Sequence, residues 1–189
     1  LRTNIMFQSI EKPIQTLLVA SPMPDDGKST TLANLAVTLA QSGHTTILVD
    51  ADLRRPTQHT LWGLSNERGL TSIMLDSSLR DAPPLQASGV DQLSILTSGP
   101  TPPNPADLLG SKQMEALIAL LKSRAEYVLF DAPPVLAVTD APLLASKLDG
   151  VLLVVKAGTT RRDQAECTNR RGGTQQCAAR IIWYGVLIV

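Results

Sequence analysis

Thr16-Leu17-Leu18-Val19-Ala20 runs without a break into Ser21-Pro22-Met23-Pro24-Asp25-Asp26-Gly27-Lys28-Ser29-Thr30, and a stretch with helical spacing follows. Few features limit a fold more tightly. A strand that turns through a Gly-Lys-Ser loop into a helix brings backbone N–H groups and a lysine to bear on one anion, at the carboxyl edge of a parallel sheet. Residues 28–41 place Leu32, Leu35, Ala36 and Leu39 at three-to-four spacing, as an amphipathic helix does, and Gly43 stops it. Further apolar runs at 46–49, 93–96, 127–130, 151–155 and 181–189 read with 16–20 as six strands. Residues 114–121 and 140–148 read as further helices, the second with Asp140 near its positive end. Strands alternating with helices predict an α/β fold: a doubly wound, mostly parallel sheet in a three-layer α/β/α arrangement.

The whole chain, 1–189, fits one domain, and an apolar fraction of 43% is enough for one buried core. Seventeen basic residues balance seventeen acidic ones, so no global field draws the chain to nucleic acid, and none is expected as a partner. The longest apolar runs are strand-sized, far short of the roughly 20 residues that span a bilayer. Cys167 and Cys177 have neither metal-ligand spacing nor a secretory signal before them, which fits a reducing cytoplasm. A first residue of Leu1 rather than Met leads us to expect a fragment, shortened at its amino end.

Gly27, Lys28, Ser29 and Thr30, with Asp26 before them, form a phosphate loop of the P-loop NTPase kind. Lys28 supplies a positive charge for the β- and γ-phosphates of ATP, the Ser29 hydroxyl is a ligand for Mg²⁺, and Thr30 lies nearer the α-phosphate. The plainer alternative is a serine-capped helix start. Two further strands end in acids: Ile47-Leu48-Val49 runs into Asp50-Ala51-Asp52-Leu53-Arg54, and Tyr127-Val128-Leu129-Phe130 into Asp131-Ala132-Pro133-Pro134. Ser29, Asp52 and Asp131 are the expected protein ligands of Mg²⁺, which takes few carboxylates and keeps phosphate oxygens and waters. Asp50 is left for the proton. One strand-end aspartate is more often a cap or turn residue, but three beside Gly-Lys-Ser read as a site. Arg55 and His59 read equally as a solvated face or as site residues.

These residues resemble the bacterial tyrosine kinases of capsule and exopolysaccharide export. Their phosphate loop is similar to Ser21–Thr30 in lacking the usual first glycine, whose place Pro22 takes here; their Asp-x-Asp-x-Arg is similar to Asp50-Ala51-Asp52-Leu53-Arg54, and their Asp-x-Pro-Pro to Asp131-Ala132-Pro133-Pro134. The segment from Gly99 to Pro105, with Leu108, Leu109 and Ser111, also resembles the family, so the likeness covers residue 2 to about 160. It implies ATP-dependent protein-tyrosine autokinase activity, with Lys28, Asp50 and Asp52 catalytic and Arg54 offsetting phosphate charge. Asp50 is the implied base for an incoming phenol. It also implies self-association and a membrane-embedded polysaccharide co-polymerase or activator, which would hold the chain at the inner face of the plasma membrane.

The chain departs from that pattern in places. Of the family's upstream Glu-x-x-Arg-x-x-Arg it keeps Arg2 alone, and in place of a terminal tyrosine cluster it has Tyr127 and Tyr184. From about residue 167 a Gly172-Gly173 pair and little apolar periodicity lead us to expect an altered reading frame or a degraded gene end. The rival reading is a partition or division-site ATPase, but that group carries a signature lysine where this chain has Met23. An inactive nucleotide-binding kinase fragment is a third.

Overall fold

The computed structural model describes Ile5, residues 13–157, Thr160 and Arg180–Val186. Within them lie β1 (Thr16–Ala20), α1 (Lys28–Ala40), β2 (Thr46–Asp50), α2 (Gln58–Trp62), α3 (Leu70–Leu75), β3 (Gln86–Ala87), β4 (Leu93–Leu96), α4 (Pro105–Gly110), α5 (Lys112–Lys122), β5 (Tyr127–Asp131), α6 (Asp140–Ala145), β6 (Gly150–Lys156) and β7 (Arg180–Val186). The unusual stretch from residue 167 lies outside the described residues up to Arg180, where β7 begins. Seven strands form one sheet in the order β3-β4-β2-β5-β1-β6-β7, and every pairing is parallel except β3 with β4.

The inner strands are continuous apolar runs because both faces of the sheet are covered. Side chains alternate across the sheet plane. Leu17, Val19, Leu48, Leu129 and Leu152 pack with Leu32, Leu35, Ala36 and Leu39 of α1 on one side. Leu18, Ala20, Val49, Phe130 and Val151 pack with α3, α5 and α6 on the other. The three expected layers are therefore present, and each expected strand is found to within a few residues, the end of the last, 187–189, lying outside the described residues. α6 is shorter than its spacing predicts: the N–H groups of Lys147 and Leu148 turn back to the carbonyls of Leu144 and Ala145, which closes a tight turn after Ala145. α2, α3, α4 and β3 are too short to leave a periodic signature.

Asp149 ties the amino ends of the central strands together. Its Oδ2 accepts the N–H of Thr16 (2.9 Å), the hydroxyl of Thr16 (2.8 Å), the N–H of Gln15 (3.2 Å) and the ammonium of Lys122 at the end of α5 (3.3 Å). Its own N–H donates to Thr16 Oγ1 at 2.9 Å. Partial burial works against the charge, but the Thr16 donors, Lys122 and Gln15 outweigh it and hold the carboxyl below its ordinary range. Asp149→Ala is expected to lower stability in urea by about 2 kcal/mol, since it leaves buried donors unpaired. Because the folded-state affinity for the proton is depressed, the contribution of Asp149 is present above the ordinary carboxylate range and lost as pH falls through it. The difference between wild type and variant should shrink in the most acidic buffers that keep the fold, and a constant difference would contradict this origin.

Candidate phosphate and metal site

The carboxyl ends of β1, β2 and β5 meet at one edge, and the loops leaving them build the site. Between β1 and α1 the chain turns through Asp25 and Gly27, both in the left-handed region (φ 62° and 86°). At Gly27, the residue before α1, that conformation suits a residue with no Cβ. Asp26 closes the loop on itself: Oδ2 accepts Met23 N–H at 3.1 Å, and Oδ1 accepts the Thr160 hydroxyl at 3.1 Å. The Ser21 hydroxyl donates to Met23 O at 2.7 Å. Side chains thus close a loop that lacks the first glycine. The first N–H groups of a helix have no intrahelical acceptor, and the first turn of α1 contains no acidic residue to take them.

Asp50 and Asp131 are register partners at the ends of β2 and β5, and Asp52 lies just beyond. All three are buried, with Lys28 beside them. The Lys28 ammonium lies 3.1 Å from Ser29 Oγ, 3.2 Å from Asp52 Oδ2 and 3.3 Å from Asp131 Oδ1. Burial works against that charge, but Asp131 and Asp52 outweigh it and raise the lysine's proton affinity. Asp131 is pushed up by burial, with Lys28 pulling against it. Among the described residues no cation pairs with Asp50: burial and the charge of Asp131 push it up to about 7, against the N–H bonds it accepts. Its Oδ2 takes the N–H groups of Thr57 (3.1 Å) and Gln58 (2.9 Å), and its Oδ1 that of Asp52 (3.3 Å).

Gln58, which carries no motif signal, joins the three loops. Fully buried, it donates to Asp131 Oδ2 at 2.7 Å and to Ser29 O at 3.2 Å, and accepts the Trp62 indole N–H at 3.1 Å. Asp140 and Thr160 were likewise illegible as site partners. The Arg54 guanidinium forks onto the buried Asp140 carboxylate at the start of α6, at 2.8 and 2.9 Å, and this contact raises the arginine's proton affinity. Asp52 Oδ1 accepts the Arg55 N–H at 3.1 Å.

A cavity of about 530 Å³ opens above this cluster. Its wall includes Gly27, Lys28, Ser29, Thr30, Asp52 and Arg54 of the expected site residues; Asp26, Asp50 and Asp131 are not in it. Among the described residues no three His, Cys, Asp or Glu side chains form a metal cage. The donor set instead matches a magnesium site completed by phosphate oxygens and water, with one hydroxyl and two carboxylate oxygens converging on a single point. In this structure the lysine ammonium stands at that point. The residues therefore fit the ion.

A family model described as ParA, NUBPL iron-transfer P-loop NTPase, matches residues 14–172, and proteins of that fold bind ATP. The tyrosine-protein kinase YwqD of Bacillus subtilis is 48% identical over 166 residues, 87% of this chain and 69% of that protein. The kinase domain of the Escherichia coli tyrosine kinase ETK superposes with a TM-score of 0.88 at 29% identity, over 100% of this chain and 74% of that one. The chimerical protein CapA2B2 gives 0.85 at 36% identity, over 95% and 80%. With nearly half the residues shared with YwqD across most of both chains, and the phosphate loop, Asp-x-Asp-x-Arg and Asp-x-Pro-Pro segments meeting at one cavity, this chain belongs to the bacterial tyrosine-protein kinases.

Proposed function

We propose that the chain transfers the γ-phosphoryl group of ATP to tyrosine hydroxyls, as an autokinase of capsule or exopolysaccharide synthesis. The observation behind the reading is the convergence of Ser29, Asp52 and Asp131 within 3.3 Å of the Lys28 ammonium, with Lys28, Ser29 and Asp52 in the wall of one cavity. The free N–H groups of the first turn of α1 and the loop backbone hold the phosphates, and Lys28 turns from the carboxylates toward the β- and γ-oxygens. Ser29, Asp52 and Asp131 would hold Mg²⁺, which would supply positive charge against the phosphate oxygens. Gln58 keeps Asp131 oriented by occupying its second oxygen. Arg54, fixed by Asp140, adds positive charge at the rim.

Asp50 takes the proton of the phenol. A proton affinity near 7 suits a base at neutral pH. Because Asp50 is absent from the cavity wall, the proton reaches it by way of a bridging water. The acceptor comes from elsewhere than β5, since Tyr127 opens that strand at the sheet edge opposite the site. Self-association in trans and a membrane-embedded activator at the inner face of the plasma membrane complete the proposal. No helix among the described residues is long and apolar enough to cross a membrane.

Incubation with Mg²⁺ and γ-labelled ATP, with and without a tyrosine-rich peptide, tests the reading: phosphotyrosine should form and vanish in Lys28→Met. Asp50→Asn should lower kcat by about a hundredfold or more with nucleotide binding retained. ATP hydrolysis with no phosphotyrosine would favour the partition-type reading instead, and an Asp50→Asn variant of wild-type kcat would leave Asp50 only as the group that receives the start of α2.

Asp50 also predicts a pH dependence of the metal-free fold. Its folded-state proton affinity is raised, so the folded chain keeps a proton that the unfolded chain releases as pH climbs out of the ordinary carboxylate range. Stability should therefore decline from about pH 4 to about pH 7 and level off above. In urea titrations with EDTA, Asp50→Asn should flatten that decline; an unchanged slope would mean that Asp50 ionises as freely folded as unfolded.

A further inference from the structure

The cavity lining is of two kinds. Lys28, Ser29, Thr30 and Asp52, with Arg54, Arg55 and Thr57 after them, are polar, whereas Leu61 of α2 and Pro133, Pro134, Ala137 and Val138 after β5 form an apolar wall. No phosphate chemistry needs the apolar residues. Leu61 is 51% exposed, a large apolar side chain left to solvent at the cavity rim. Prolines 133 and 134 offer no N–H donors, so that stretch presents hydrocarbon in a fixed conformation.

Its place relative to the phosphates decides its occupant. Lys28 serves the β- and γ-phosphates and Thr30 the α-phosphate, so a nucleoside leaves the cavity on the side of α1. Asp52 and Asp131, bonded to the Lys28 ammonium, stand where a metal on the terminal phosphates would be held. The apolar residues sit on the segments that follow those two aspartates, which puts them beyond the γ-phosphate, on the side from which an in-line nucleophile arrives. The wall is also held to the chemistry: α2 carries Leu61 and, through Gln58, is bonded to Asp131 and to Ser29 O. A phenol has an apolar ring and one polar tip, the shape that this pairing of an apolar wall with carboxylates fits.

We infer that Leu61, Pro133, Pro134, Ala137 and Val138 form the seat for the ring of the acceptor tyrosine. The assignment rests on the kinase reading. The seated ring aims its hydroxyl at the γ-phosphoryl group; the phenol oxygen bonds to phosphorus, the bond to the β–γ bridging oxygen breaks, ADP leaves with that electron pair, and the phenol proton passes toward Asp50.

The experiment is equilibrium binding of a tyrosine peptide, and of its phenylalanine and alanine counterparts, to the protein saturated with Mg²⁺ and a non-hydrolysable ATP analogue. Leu61→Ser, at an exposed position, and Val138→Ser should each weaken the tyrosine and phenylalanine peptides about tenfold, with affinity for the analogue unchanged. The alanine peptide should bind weakly and respond to neither substitution. Unchanged tyrosine-peptide affinity in both variants overturns the assignment, and so does a loss of analogue affinity, which would give the wall to the nucleoside. Phosphotyrosine formation is read separately: a Leu61-dependent peptide site in a protein that makes no phosphotyrosine sinks the kinase reading while the seat stands, and phosphotyrosine formed equally by wild type and both variants sinks the seat alone.

Discussion

One buried ammonium among three buried carboxylates governs this molecule. Lys28 bonds to Asp52 and Asp131, while among the described residues no cation pairs with Asp50. Removing such groups from water costs several kcal/mol each, and a buried pair seldom returns the whole of that cost. The cluster is therefore poor at stabilising the fold. Its excess of negative charge makes sense as a demand for a further cation, and phosphates that attract the lysine away leave that demand open. Affinity for a metal-bound nucleotide and instability of the empty site are two sides of one arrangement.

The fold supplies the geometry. Parallel strands β1, β2 and β5 end together, so residues far apart in sequence meet without any loop having to reach for its partner. The loops are then locked by side chains: Asp26 closes the phosphate loop and bonds to Thr160, Gln58 joins α2 to Asp131 and to Ser29 O, and Asp140 grips Arg54. Asp149 performs the matching task at the opposite edge, around the amino ends of β1 and β6. Both edges of the sheet are thus fixed by carboxylates that accept backbone N–H groups, one for stability and one for chemistry.

The strands, α1 and the strand-end aspartates were legible because each is a local pattern: a continuous apolar run, a three-to-four repeat, or an acid following a run. Which aspartate faces the cavity was not. Asp50 and Asp52 look alike in sequence, yet the start of α2 folds over Asp50 and claims its oxygens, leaving Asp52 in the cavity wall. Gln58 was overlooked for a related reason: a glutamine in a five-residue helix has no periodicity to mark it, and its importance arises only from the meeting of β5 with α1. Asp26 was expected at the nucleotide, and its carboxylate bonds to Met23 and Thr160. Tertiary partners, invisible to a linear reading, decided each of these cases.

The measurement that most directly tests whether the cluster is a cation site waiting for its nucleotide is calorimetric titration of ATP with and without magnesium, on wild type and on Asp52→Asn. Magnesium should tighten binding to the wild type by at least about tenfold, or about 1.4 kcal/mol, and Asp52→Asn should erase most of that gain while leaving magnesium-free affinity little changed. Equal ATP affinity with and without magnesium in the wild type would contradict it, and would make Lys28, Asp52 and Asp131 a structural ion pair rather than a site in which the lysine yields its place.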